Sequence, residues 1–283
     1  MIAVDLGGST VRAALIRGRI IRSATRELRG SSADGVFEEI CAAIRAVRAP
    51  VHGIGIGAPG PLDQRTGTLL APPNLPFRNF PLAARLRKEF HVPVRLENDA
   101  NCFALGEALF RKGKGHRSVI GIILGTGVGG GIVLDGRLYA GRGNAGEFGH
   151  MPVSRQGRCG CGKRGCLELH ASGRAVVRYA RRRGLRAESA REVSLIAAGG
   201  NRKAHEAFAE MGRWLGLGLA QVVHALDPDI IVLGGGVSKS WPLFRKATLA
   251  AAREHCIVPL PPIVQGSERS SLLGAAENFR RFL

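Results

Sequence analysis

The chain has 283 residues, is 45% hydrophobic and carries a formal net charge of +19. That length allows two domains with a proper core, and no apolar run reaches the roughly 18 residues of a membrane helix. The opening MIAVDLGG is too short and meets Asp5 too early for a signal peptide, so a cytoplasmic protein with no membrane partner is expected.

In chain order, IAVDL (2–6) reads as a strand, GGST (7–10) as a turn and VRAALI (11–16) as a second strand. RGR (17–19) turns the chain into a third strand, IIRSATREL (20–28). Val36, Phe37, Ile40, Ala43, Ile44 and Val47 recur at helical spacing and predict a helix over 33–47. VHGIGIG (51–57) is a strand ending in APGP, VPVRLEN (92–98) another, and DANCFALGEALFR (99–111) a helix. Cys102, Leu105, Ala108 and Leu109 form its buried side.

The opening order then returns. SVIGIIL (118–124) is a strand, GTGVGG (125–130) a turn, GIVLD (131–135) a strand, DGR a hairpin turn and LYAG (138–141) a third strand. A helix over 202–226 places Ala204, Phe208, Met211, Leu215, Leu219, Val222 and Leu226 on one face. Asp227-Pro228 ends it, and the strand DIIVLGGG (229–236) follows. An internal duplication is the simplest account. SSLLGAAENFRRFL (270–283) reads as a last helix capped by Ser270 or Ser271.

Three glycine-rich turns follow apolar strands: Gly7-Gly8-Ser9-Thr10 after Asp5, Gly125-Thr126-Gly127, and Gly234-Gly235-Gly236. Glycine lets backbone N–H groups approach an anion, and the hydroxyls of Thr10 and Thr126 add donors. Asp5 is placed to hold Mg²⁺ through water. No GK[ST] follows any of them, so none is a Walker A loop, and none is expected to open a helix as a dinucleotide fingerprint does. Asp99 stands at a strand-to-helix junction, where aspartate is favoured as an N-cap. The arginine excess has one dense run, RYARRRGLR (178–186), with little aromatic interleaving. A nucleic-acid partner is therefore not expected, although the charge can draw in nucleotide phosphates.

Three of the six cysteines, Cys159, Cys161 and Cys166, fall within eight residues. Disulfides are disfavoured in the cytoplasm and would leave one of the three unpaired. A C-x-x-C redox pair is absent, so a metal is the better reading. Cys41, Cys102 and Cys256 are isolated and are expected to pack in the core.

The Asp-Leu-Gly-Gly and Gly-Thr-Gly hairpins and the late Gly-Gly-Gly turn resemble the sugar kinase/actin/Hsp70 superfamily. LENDANCFALGEA, LGTGVGGG, GEFGHMPV, CGCGKRGCLE and DPDIIVLGGG resemble the ROK family of bacterial sugar kinases and sugar-responsive repressors. The likeness spans essentially the whole chain. One departure is Ser9-Thr10, where the family usually has Thr-Lys or Thr-Asn.

The resemblance implies an α/β, duplicated ribonuclease-H-like two-domain fold with a central cleft that closes on binding. Its expected domains are 1–111 plus 270–283, and a larger 112–269 holding a zinc loop. It implies a structural Zn²⁺ on His150, Cys159, Cys161 and Cys166, a set that makes a closed tetrahedral site. It implies a sugar clamp of Glu147, His150 and Glu168, with Gly60, Asn74 and Asn98 also lining the sugar. Asp99 is the implied base on the C6 hydroxyl. Asp5, Gly7, Gly8, Ser9, Thr10, Gly125, Thr126, Gly127, Gly234, Gly235 and Gly236 would surround Mg²⁺-ATP. The implied activity is ATP-dependent hexose phosphorylation, with glucose first and N-acetylglucosamine, mannose, N-acetylmannosamine and fructose as alternatives. Polyphosphate is the alternative donor, which the cysteine cluster argues against. A repressor of this family would carry a winged helix-turn-helix of roughly 70–80 residues before the first strand. That strand begins at Ile2, so an enzyme is expected over a regulator. Intact Asp5, Asp99 and glycine turns argue against an inactive sensor. The resemblance also implies a homodimer or homotetramer.

Overall fold

The computed structural model describes residues 1–47 and 49–282. Leu283, the last residue of the predicted final helix, lies outside them. The chain divides into two compact units: Met1–Gly115, Gly131–Gly143 and Ser267–Leu283 form one, and His116–Gly130 with Asn144–Gly266 form the other.

The elements of the first half are β1 (Ile2–Leu6), β2 (Thr10–Arg17), β3 (Arg19–Glu27), α1 (Ala33–Ala46), β4 (Ile54–Ala58), the short β5 (Leu62–Asp63) and β6 (Thr68–Leu69), α2 (Leu82–Phe90), β7 (Val94–Asn98) and α3 (Asp99–Phe110). After them come β8 (Ser118–Leu124), β9 (Val128–Leu134), β10 (Arg137–Leu138), α4 (Glu168–Ala171), α5 (Gly173–Arg182), α6 (Ala190–Ala198), α7 (Arg202–Leu226), β11 (Ile230–Gly234), α8 (Trp241–His255), β12 (Ile263–Gln265) and α9 (Ser270–Arg280).

The duplication seen in the sequence is visible in the sheets. The first runs β3-β2-β1-β4-β7 and the second β10-β9-β8-β11-β12. In the first, β1 and β2 are antiparallel, while β1, β4 and β7 are parallel. In the second, β11 runs parallel to β8 and β12.

Period-two alternation decides which residues of the first sheet meet which helices. Ile2, Val4 and Leu6 join Ile40 and Ile44 of α1 and Leu82 and Leu86 of α2 in one core. Ala3 and Ala14 face the other way, against Cys102 of α3 and Leu272 and Ala275 of α9. The helix limits follow their caps. Ser32 accepts from the Gly35 N–H at the start of α1, and Asn201 accepts from Ala204 N–H at the start of α7. Asp227 ends α7 in the left-handed region.

Four details differ from the sequence reading. Helix α9 starts at Ser270, after Arg269, with no side-chain cap. The Ser270 hydroxyl instead donates to Glu107 Oε1 at 2.6 Å, so it ties α9 to α3. That packing also buries α3 almost throughout, from Ala100 to Ala108, rather than on one side. Of LYAG only Leu138 joins a strand, since β10 is Arg137–Leu138, paired with Leu134 and Val133. Cys41 and Cys102 are buried as expected, while Cys256 is half-exposed where α8 ends.

Candidate active site

In the first unit the parallel strands finish together. Asp5 pairs with Gly57, Gly57 with Glu97, and Ala58 with Asn98. Carboxyl ends of parallel strands are where α/β sheets present ligand-binding groups. Asp99 is the first residue of α3, half-buried, and its Oδ1 accepts from the Ala100 N–H at 2.8 Å. The N-cap is Asn98, not Asp99: Asn98 Oδ1 accepts from Ala100 and Asn101 N–H at 2.9 and 3.2 Å. The cap oxygen is thus committed, and the Asp99 side chain sits at the positive end of the helix. Gly60 lies beside Asn98: a Cβ on it would be 3.7 Å from Asn98 Nδ2. Asn74 abuts the first glycine turn, where a Cβ on Gly8 would come within 2.9 Å of the Asn74 Cβ.

The turn itself is closed by Gly7 N–H donating to Thr10 O at 2.8 Å, which leaves Gly8 and Ser9 exposed. Across the hairpin, Arg12 stands opposite Asp5 and donates to Asp5 Oδ2 through Nε at 3.1 Å and Nη2 at 2.6 Å. Burial pushes the Asp5 carboxyl up from its ordinary range, and the Arg12 guanidinium partly offsets this.

In the second unit, Gly125 N–H donates to Gly127 O at 3.0 Å, and Gly173 N–H at the start of α5 donates to Gly125 O at 2.8 Å. Thr126 is exposed at the tip. The Gly234-Gly235-Gly236 turn lies alongside, because Gly234 pairs with Ile123 on the neighbouring strand. Contrary to the sequence reading, this third turn does open a helix. Gly236–Ser240 is a short 3₁₀ segment leading into α8.

Three motifs converge on Val128. Its N–H donates to Glu168 Oε2 at 3.0 Å. Its carbonyl faces Gly149, where a Cβ would lie 2.1 Å from the oxygen, so only glycine fits at the third position of EFGH. Glu147 and His150 are both exposed, with Glu147 Oε2 3.8 Å from His150 Nε2.

The other ring nitrogen of that histidine faces the cysteines. His150 Nδ1 is 3.8 Å from Cys159 Sγ, and Cys161 Sγ is 3.7 Å from Cys166 Sγ. All four donor atoms lie within 4.8 Å of one another. A tetrahedral ion with Zn–S bonds of about 2.3 Å requires sulfur–sulfur edges of about 3.8 Å, so the cluster has the dimensions of a Cys₃His zinc site. The loop is shaped for it. Cys159 N–H donates to Lys163 O, Gly162 N–H returns to Cys159 O, and Gly162 and Gly165 hold positive φ.

Several residues that shape these sites escaped the sequence reading. Glu97 is 3% exposed, and its Oε1 accepts from Asn98 N–H at 2.8 Å, from Asn101 Nδ2 at 3.0 Å and from Gln64 Nε2. Burial raises its carboxyl, and the Asn101 and Asn98 bonds oppose that. This carboxylate fixes the turn from which Asp99 projects. Glu97 lies on β7, outside the helix, so helical spacing gave no signal of its pairing with Asn101. Gln64 arrives from a loop and gave none. Arg12 was legible in principle, as its place opposite Asp5 follows from the hairpin register.

The ROK family model matches residues 1–281. A glucokinase of Streptomyces coelicolor is 37% identical over 84% of this chain and 82% of its own length. A glucokinase of Thermotoga maritima is 37% identical over 85% and 83%. The crystal structure of a ROK family glucokinase from Streptomyces griseus, in complex with glucose and AMPPNP, superimposes with a TM-score of 0.90 at 36% identity, covering 99% of both chains. The fold is that of the actin-like sugar kinases, and the chain belongs to the ROK family.

Proposed function

We propose that this protein is an ATP-dependent glucokinase that phosphorylates the C6 hydroxyl of glucose. The observation that carries the reading is the end-to-end likeness to a glucokinase bound to glucose and AMPPNP, in a chain that keeps Asp99 at a helix N-terminus with its surroundings hydrogen-bonded.

In this reading Asp99 takes the proton from the C6 hydroxyl as its oxygen attacks the γ-phosphorus. Asn98, whose oxygen is spent on the cap, turns its amide nitrogen to the sugar, with Gly60 and Asn74 nearby. Glu147, His150 and Glu168 accept or donate to the remaining hydroxyls. The turns at Gly7–Thr10, Gly125–Gly127 and Gly234–Gly236 supply backbone N–H donors to the nucleotide. Mg²⁺ bound with ATP neutralises the phosphates, and Asp5 would hold it through water. His150 Nδ1 and the three thiolates would hold Zn²⁺ as a brace, leaving Nε2 for a sugar hydroxyl. The expected domains, 1–111 plus 270–283 and 112–269, a cytoplasmic setting and a dimeric or tetrameric state belong to the same proposal.

Sugar-phosphate formation measured over glucose, N-acetylglucosamine, mannose, N-acetylmannosamine and fructose, with ATP and then with polyphosphate as donor, tests it. Glucose with ATP should give the highest kcat/KM. A higher value for any other pair overturns the assignment.

A further inference from the structure

Gly127 belongs to a turn of the kind that grips phosphate, yet its nearest neighbour is a carboxylate. A Cβ built on Gly127 would lie 2.1 Å from Glu168 Oε2 and 3.0 Å from its carboxyl carbon. The same Oε2 accepts the Val128 N–H at 3.0 Å. The Glu168 carboxylate is therefore fixed by one backbone donor and seated in space that exists only because residue 127 has no side chain. Gly127 does not occupy the left-handed region, so backbone conformation does not demand glycine there. Contact with Glu168 does.

We propose that Gly127 and the Val128 N–H are positioning groups for the sugar clamp, setting the Glu168 carboxylate that receives the hexose. The inference rests on the reading of Glu168 as a sugar ligand. It gives the phosphate turn a second duty, as the wall that aims a sugar-binding side chain. One Glu168 oxygen is committed to Val128, so Oε1 is the oxygen offered to a hydroxyl. An added methyl at 127 pushes the flexible end of Glu168 aside at little cost to the fold, and the Val128 bond is lost with it.

The test is glucose binding to the protein with no nucleotide present, by calorimetry, so that a phosphate role of Gly127 contributes nothing. Gly127→Ala should weaken glucose binding at least fivefold while the melting temperature stays close to that of the parent. Glu168→Ala should weaken it at least as much, and the double variant should lose no more than Glu168→Ala alone, because the methyl acts only through the carboxylate. If Glu168→Ala weakens binding but Gly127→Ala leaves it within twofold, this inference fails and the sugar-clamp reading stands. If the two losses multiply in the double variant, Gly127 acts by another route and the inference fails as well. If Glu168→Ala leaves glucose binding unchanged, the clamp reading fails and takes the inference with it.

Discussion

Replacing Glu107 tests how α3, which begins at Asp99, is anchored. Glu107 is fully buried. Its Oε1 accepts from Ser267 N–H and the Ser270 hydroxyl, both at 2.6 Å, and its Oε2 accepts from Lys112 N–H at 3.1 Å. Glu107→Leu strands these donors in different surroundings. The Ser270 hydroxyl is fully buried, and losing its acceptor costs about 2–3 kcal/mol. Ser267 N–H is half-buried and costs about 1–2 kcal/mol, while Lys112 is exposed and water replaces the bond. Burying leucine returns about 1 kcal/mol, so the net loss is about 2–4 kcal/mol. Glu107→Gln keeps one oxygen for Ser267 and Ser270 and should cost about 1 kcal/mol. Urea unfolding reads both as midpoint shifts at constant slope. Equal losses for Leu and Gln, or a Leu variant within about 1 kcal/mol of the parent, would refute the reasoning.

Arg12→Met removes the cation that offsets the effect of burial on Asp5. The Asp5 carboxyl then rises further, and the acid limb of the kcat/KM profile should move to higher pH; an unmoved limb contradicts this. Glu277 is 5% exposed; burial raises its carboxyl, but bonds from Arg280 and Arg281 outweigh this and hold it below its ordinary value. A depressed carboxyl stabilises the fold above its unfolded pKa of about 4.3 and loses that contribution as pH falls through the folded value. The melting-temperature gap between the parent and Glu277→Gln should therefore be present at pH 7 and close in acid, and an equal gap at both ends would be incompatible with the pairing. Purified protein should carry one zinc per chain, and stripping it should lower the melting temperature and weaken glucose binding. Zinc-free protein that binds glucose undiminished counts against the brace.

The duplicated strand order, the glycine turns and the cysteine cluster were legible because each rests on local pattern: period-two alternation, glycine after a strand, three cysteines in one short loop; His150 entered only through the resemblance to the ROK family. Contacts between segments distant in sequence were not. Ser270 looks like an N-cap because local chemistry favours it, and only the packing of α9 on α3 spends its hydroxyl on Glu107. Asp99 and Asn98 are both good caps, and it is Asn98 that keeps extended backbone while Asp99 is already helical. The meeting of Gly127, Val128 and Glu168 joins positions about 40 residues apart, and nothing in either motif alone announces it.

The measurement closest to the central claim is Asp99→Asn, read as single-turnover phosphorylation alongside glucose affinity. Asparagine keeps the acceptor for Ala100 N–H, so the helix start survives while the base is lost. General-base catalysis is worth about 10²–10⁴ in rate. The account predicts a fall of that size in the phosphoryl-transfer rate with glucose bound as in the parent. A variant that transfers phosphate at near the parent rate would contradict it.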